Sequence, residues 1–272
     1  MKVEDLMVSG SCVLAQNKME WYQDQMKNNN GLLWISSHYP QLDKHTSGII
    51  PWKVYTIAWY SNVGKSRFAY WYINHFLDKW KSVAFFNLEV DKGMCFLNLC
   101  CNRYDKYNYQ MKSEDIDIMD FEKLTLFDDI YNIDDIEQAV SLIKPDIVFI
   151  DFVQNINVFG ASGYEAMATV AKKIQQMAIK NNATMFSLSQ LSNSSAKDLS
   201  RGETDFVPLK WAGEFTASSD VILVLRMVEH KLWLTIVKTK YAQKPKEEIE
   251  FDCDFGRSKF AINKQSLPWL AF

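Results

Sequence analysis

The chain has 272 residues, enough for one large α/β domain or two small ones, and 48% of them are hydrophobic, which supports a full core. With 23% charged residues it is not a disordered chain, and a formal net charge of −3 confines any nucleic-acid contact to local patches. The five cysteines, Cys12, Cys95, Cys100, Cys101 and Cys253, form no C-x-x-C pair, and no histidine clusters with them in sequence, so buried free thiols are expected instead of zinc or disulfides. No apolar run reaches membrane-spanning length, since VILVL at 221–225 is closed by Arg226. The N-terminal MKVEDLMVSG carries acids where a secretion signal needs a basic start, so the expected location is the cytoplasm.

Residues 11–28 read as one amphipathic helix with a sticky face of Val13, Leu14, Met19, Trp21, Tyr22 and Met26. Asn28-Asn29-Asn30-Gly31 stops it. From Gly31 onward, strands and helices alternate. Strands are expected at 53–58, 82–88, 146–151, 183–188 and 220–226, each short and apolar on both faces as buried parallel strands are. Helices fit between them at about 65–78, 91–102, 133–144 and 163–181, the third with Asn132 as N-cap. The tail segments KLWLTIVKTK, EEIEFDCDF and SKFAIN alternate at period two, as antiparallel strands do. The expected fold is therefore α/β, a mostly parallel twisted sheet with flanking helices and C-terminal antiparallel strands. The one long loop expected is 191–212.

Chemistry concentrates at WYSNVGKSRFA, residues 59–69, which follows the first strand and opens the first helix after it. It holds the second half of a phosphate-binding loop, in which backbone N–H groups and a helix N-terminus face phosphate oxygens. Ser61, Asn62, Val63, Gly64, Lys65, Ser66 and Arg67 are the candidate nucleotide contacts, with Lys65 on the β/γ-phosphates and Ser66 on Mg²⁺. Trp59 stands where the pattern's first glycine belongs, which is tolerable if its φ stays negative and its ring leaves the phosphates room. Asp151 ends the strand DIVFID, the Walker B arrangement, and can share the Mg²⁺ with Ser66. Glu89 follows the strand SVAFFNL and can activate water, while Gln190 at the end of ATMFSLSQ can sense the γ-phosphate.

These pieces, in this order, resemble the RecA-like motor domain of DnaB-type replicative helicases through most of 31–272. HYPQLDKHTSGIIPWKVYTIAWYSNVGKSRFA is similar to the family's lead-in and P-loop, FFNLEVDKG to its S-L-E-M segment, VFIDFVQNI to I-D-Y-L-Q and SLSQLSN to L-S-Q-L. PLKWAGEFTASSDVILVLR resembles the stretch that begins D-L-R-x-S-G. The resemblance implies ATP and Mg²⁺ as cofactors, Glu89 as catalytic base, and a homo-oligomeric ring, usually hexameric, that grips single-stranded DNA. The two gripping loops carry over to roughly 154–164 and 192–211, the second with Lys197, Arg201 and Lys210. The family donates a lysine and an arginine finger to the neighbouring subunit, and Lys238 and Lys240 stand at those positions here. Lysine supplies the charge without the planar fork. Arg226 is expected near the base or at the subunit interface. Residues 1–30 would be a linker arm and 31–272 the motor, a minimal form such as phages and plasmids use, with primase or loader as separate chains. Two other readings remain open. One is another RecA-like ATPase, recombinase-like or KaiC/RadA-like, and the other is a scaffold or loader that holds nucleotide without hydrolysing it.

Overall fold

The computed structural model describes residues 10–59, 64–191, 212–228, 231–241 and 248–262. Described residues up to Pro51, with Tyr241, form one compact unit, and those from Trp52 to Lys240 with 248–262 form a second. In the first unit, α1 (Gly10–Asn28) ends where the asparagine run begins. Asn30 and Gly31 take left-handed backbone with φ of 52° and 85°, and the Gly31 N–H reaches back to the Met26 carbonyl at 2.8 Å. Met19 and Met26 are exposed, and Trp21 packs edge-on to Tyr22. A short α2 (Pro40–Thr46) follows, with Pro40 in its first turn.

The second unit holds, among the described residues, one nine-stranded sheet in the order β3-β2-β4-β5-β1-β6-β7-β8-β9. Its strands are β1 (Val54–Trp59), β2 (Val83–Asn87), β3 (Leu124–Phe127), β4 (Ile147–Asp151), β5 (Thr184–Gln190), β6 (Val221–Val228), β7 (Lys231–Thr239), β8 (Glu248–Asp254) and β9 (Lys259–Ile262). The six strands from β3 to β6 in that order run parallel, and β6 to β9 are antiparallel. Helices α3 (Lys65–Asp78), α4 (Lys92–Arg103), α5 (Ile133–Ile143), α6 (Gly163–Lys180) and α7 (Ala212–Ser218) connect them. Asn132 caps α5 as expected, its side chain accepting from the Asp134 N–H at 2.8 Å.

The central parallel strands are mostly apolar because both faces are covered. On one face Tyr55, Phe85, Phe149 and Phe186 meet Phe76 and Tyr72 of α3, with the Phe149 and Phe186 rings stacked at 4.6 Å. On the other, Ala58, Phe86, Ile150 and Met185 pack into a cluster with Ile136 and Val140 of α5 and Val170 and Ile174 of α6. Two features depart from the sequence reading. The long loop expected at 191–212 lies, apart from its two ends, outside the described residues, and a long connection that the sequence reading did not expect joins α4 to β3 through three short 3-10 turns, Asn108–Gln110, Ser113–Asp115 and Ile118–Phe121. Side chains there cap backbone N–H groups locally, as Asp117 does for Met119 at 2.9 Å, which holds the segment without any hydrophobic period. Edge strand β3 has only four residues, all half-buried, too short to announce itself by alternation.

Candidate nucleotide site

The site lies outside the carboxyl ends of the parallel strands, where the sheet order brings β1, β2, β4 and β5 side by side. A cleft of about 580 Å³ opens there, walled by Gly64, Lys65, Ser66, Arg67, Glu89 and Gln190. Asp151 sits beneath it at the end of β4, fully buried. The structure thus brings seven of the sequence candidates to one place. Ser61, Asn62 and Val63 lie outside the described residues, as do Lys197, Arg201 and Lys210.

Gly64 is the N-cap of α3, in left-handed backbone with φ 81°. A side chain there would be strained, and its Cβ would run into the Phe255 ring. Phe255 is carried by the turn between β8 and β9, which is moored to the far side of α4. Asn102 Nδ2 donates to the Ser258 carbonyl at 2.7 Å, Tyr107 donates to Asp254 at 2.9 Å, and Arg257 pairs with Asp105 at 2.9 Å. A hairpin from the end of the chain therefore roofs the glycine of the loop.

Lys65 is held from four sides. Its ammonium pairs with Glu89 and with Asp151, 3.7 Å from the latter. It also faces two rings, 4.0 Å from the Phe152 centroid and 5.1 Å from that of Trp59. Trp59 is the last residue of β1, in strand backbone, and is 1% exposed. Its ring is a wall of the cleft against the lysine. The glycine position is filled without a positive φ, because the chain is still extended there.

Asp151 is a strongly perturbed acid at the floor of the cleft. Among the described residues neither of its carboxylate oxygens has a hydrogen-bond partner. Burial pushes its carboxyl up to about 6, against the lowering influence of the Lys65 charge and the Ser66 hydroxyl. A buried, orphaned carboxylate beside a serine hydroxyl is a donor set of hard oxygens that suits Mg²⁺. Among the described residues no group of three or more His, Cys, Asp or Glu side chains could hold a metal by itself, so phosphate oxygens and water would complete the shell.

The cleft also holds residues the motifs did not flag. Tyr70, Val90, Met94 and Asn98 line it. Met94 and Asn98 stand four apart on α4, a helical stripe that sequence reading assigns to packing as readily as to binding. Arg67 lines the cleft too, with its guanidinium directed to Asn98 at 2.5 Å and Ser258 at 3.4 Å.

Three candidates are placed elsewhere. Arg226 on β6 pairs with Glu248 and lies 5.9 Å from the Trp233 ring centroid, and it does not line the cleft. Lys238 donates to the carbonyls of Thr216 and Ser219, and Lys240 pairs with Asp220 at 3.0 Å. Burial lowers the Lys238 ammonium, and the charge of Lys240 adds to that. Both lysines flank Thr239, which pairs with Val221, and Val221 pairs in turn with Tyr55. The P-loop leaves the sheet four residues further along β1, at Trp59, about 13 Å away at ~3.3 Å per residue. The two lysines sit at the opposite end of the sheet from the chain's own cleft.

The model of the DnaB-like helicase C terminal domain family matches residues 34–250. No curated protein matches the chain in sequence. Among solved structures, "ATPase Domain of G40P" superposes with a TM-score of 0.78 at 18% identity, covering 93% of this chain and 98% of that one. A DnaB-like replicative helicase, solved in a study of its interactions with primase, gives a TM-score of 0.73 at 18% identity over 93% of this chain and 67% of its own. The KaiC-like protein PH0186 of Pyrococcus horikoshii gives 0.63 at 14% identity over 84% and 98%. All three have the fold described above, a RecA-like ATPase core.

Proposed function

Because the chain belongs to the DnaB-like helicase C-terminal domain family, we propose that it is an ATP-driven motor that assembles into a ring and translocates on single-stranded DNA to separate duplexes. The observation that carries this reading is the convergence of Lys65, Ser66, Glu89, Asp151 and Gln190 on one cleft at the strand ends. Residues 1–30 serve as the arm and 31–272 as the motor, acting in the cytoplasm with any primase or loader as a separate chain.

In this reading the N–H groups that open α3 and the Lys65 ammonium bind the β- and γ-phosphates, Lys65 exchanging its pairing with Glu89 for phosphate oxygens. Ser66 and Asp151 would hold a magnesium ion, which when bound would neutralise phosphate charge. Glu89, thus released, accepts a proton from water as the water oxygen attacks the γ-phosphorus; the bond to the β-phosphate oxygen breaks and ADP and phosphate leave. Lys238 and Lys240 sit too far from their own cleft to take part. Their place at the other end of the sheet suits a charge offered to the neighbour's γ-phosphate around a ring. Gln190 senses that phosphate and passes its presence to residues 192–211. Lys197, Arg201 and Lys210 then grip DNA phosphates, a few charges per subunit multiplied by the ring.

The deciding experiment is ATP hydrolysis with and without single-stranded DNA, for the wild type beside Lys65→Ala. DNA-stimulated turnover that disappears in the variant is expected. Binding of ATP with no turnover in the wild type would overturn the motor and leave a nucleotide-holding scaffold.

A further inference from the structure

The parallel ladder on either side of β4 stops short of the cleft, although β5 stays paired with β1 as far as Trp59 and Gln190. Pairing of β2 with β4 ends at Asn87 and Asp151, and pairing of β4 with β5 ends at Ile150 and Ser187. Beyond those points Glu89 on one side, and Ser189 and Gln190 on the other, have no backbone pairing to β4. Yet all three belong to the cleft region, where misplacement by about 1 Å can cost a hundredfold in rate. Besides the Lys65 ammonium, which pairs with both Glu89 and Asp151, what ties them to β4 is a 3-10 turn, Val153–Asn155, directly after it.

Two consecutive amide side chains leave that turn in opposite directions. Gln154 turns to β5. Its Nε2 donates to Ser189 Oγ at 2.9 Å and to the Gln190 carbonyl at 3.0 Å, while its Oε1 accepts from the Gln190 N–H at 3.3 Å. A primary amide carries a donor and an acceptor on separate atoms of one planar group, as a peptide does, so Gln154 pairs with the Gln190 backbone much as a strand would. Asn155 turns to β2. Its Nδ2 donates to the carbonyl of Leu88 at 2.9 Å, and the Leu88 N–H donates to the Asp151 carbonyl at 2.7 Å. Leu88 is the residue before Glu89. Buried Val153 and Ile156 hold the turn itself rigid. Just past it, Asn157 accepts from the Ile133 N–H at 3.1 Å and donates to the Tyr131 carbonyl at 2.7 Å, and the chain then runs out to Phe159, 92% exposed.

We propose that Gln154 and Asn155 are a pair of positioning residues, a two-armed bracket that locks the Glu89 turn and the Gln190 strand end to the root of the exposed loop at 157–163. A displacement of that loop is then felt by the base and the sensor together, and neither amide need touch nucleotide. The proposal rests on the ATPase reading above.

The full-length chain tests it in two measurements on wild type, Gln154→Ala, Gln154→Glu and Asn155→Ala. Amide hydrogen exchange needs no nucleotide: we expect about tenfold faster exchange at 188–191 in both Gln154 variants and at 88–90 in Asn155→Ala, each confined to its own side. In ATP turnover, kcat is expected to fall about tenfold or more in each variant with KM held within about threefold, the signature of lost positioning instead of lost binding. Gln154→Glu keeps the acceptor and loses the donors, so it should behave like the alanine variant. Unchanged exchange in these segments would overturn the bracket whether or not the protein hydrolyses ATP. So would faster exchange with wild-type kcat, or a KM rise that accounts for the whole loss. Wild-type turnover that survives Lys65→Ala would overturn the ATPase reading, and the proposal with it.

Discussion

Asp151→Asn should make the fold more stable at neutral pH. The Asp151 side chain is fully buried, and among the described residues neither oxygen has a hydrogen-bond partner and its charged neighbour within ion-pairing distance is Lys65 at 3.7 Å. Its carboxyl is raised from the ordinary 3.8 to about 6. At about 1.4 kcal/mol per pH unit, keeping it ionised in the folded state costs about 3 kcal/mol. The sign follows from proton counting. Between pH 3.8 and about 6 the folded state holds the proton that the unfolded state has released. Stability from this group is therefore greatest below the lower value and is lost as pH rises through the upper one. The asparagine variant carries no such loss. Below pH 3.8 a neutral acid and a neutral amide of the same shape should be equivalent there, so the two proteins should unfold alike. Above pH 6 the variant should be the more stable by about 3 kcal/mol. Urea unfolding of both proteins at pH 3.5 and pH 7.5 reads this difference directly. A stability gap that is absent at pH 7.5, or equal at both values, would refute the reasoning. Magnesium with ADP should narrow the gap, since a ligand at a hundredfold excess over its Kd adds about 2.7 kcal/mol to whichever protein binds it. ATP turnover should be lost in the variant, an exchange of stability for activity at a strained site.

Gly64→Ala should cost about 1–2 kcal/mol for the left-handed backbone and a further 1–3 kcal/mol for the collision with Phe255. Combining it with Phe255→Ala should recover the second part only, so a double-mutant cycle in urea should show coupling of about 1–3 kcal/mol, and strict additivity would exclude the roofing contact. Glu89→Gln should retain nucleotide binding, measured by titration of a fluorescent ATP analogue, while turnover falls at least about a hundredfold; unimpaired hydrolysis would mean that another group is the base. Phe159, the more exposed of the two exposed aromatics of the 154–164 loop, should stack on unpaired bases: Phe159→Ala should weaken single-stranded DNA binding by about 1–3 kcal/mol with little change in salt dependence, read by anisotropy across a salt series.

What the chain states locally, it states legibly. The apolar strands could be placed to within a few residues because burial on both faces leaves VYTIA, VAFFN and IVFID apolar but for Thr56, Asn87 and Asp151. The helix opening at Lys65 and the cap at Asn132 follow from backbone chemistry within a few residues of each. Trp59 was readable as tolerable, since a residue still in a strand needs no positive φ; that its ring would wall the lysine was not. The four-residue edge strand and the 3-10 segment before it escaped because neither carries a period. The placing of Lys238 and Lys240 far from the cleft, of Arg226 against Glu248, of Phe255 over Gly64, and of Gln154 and Asn155 between two strand ends depends on strand order and on which way β7 to β9 turn back. Those are outcomes of tertiary packing, in which residues on different elements, distant in sequence, become neighbours. Local periodicity and spacing determine which elements form and which of them end in chemistry, and only the assembled sheet decides which of those ends meet.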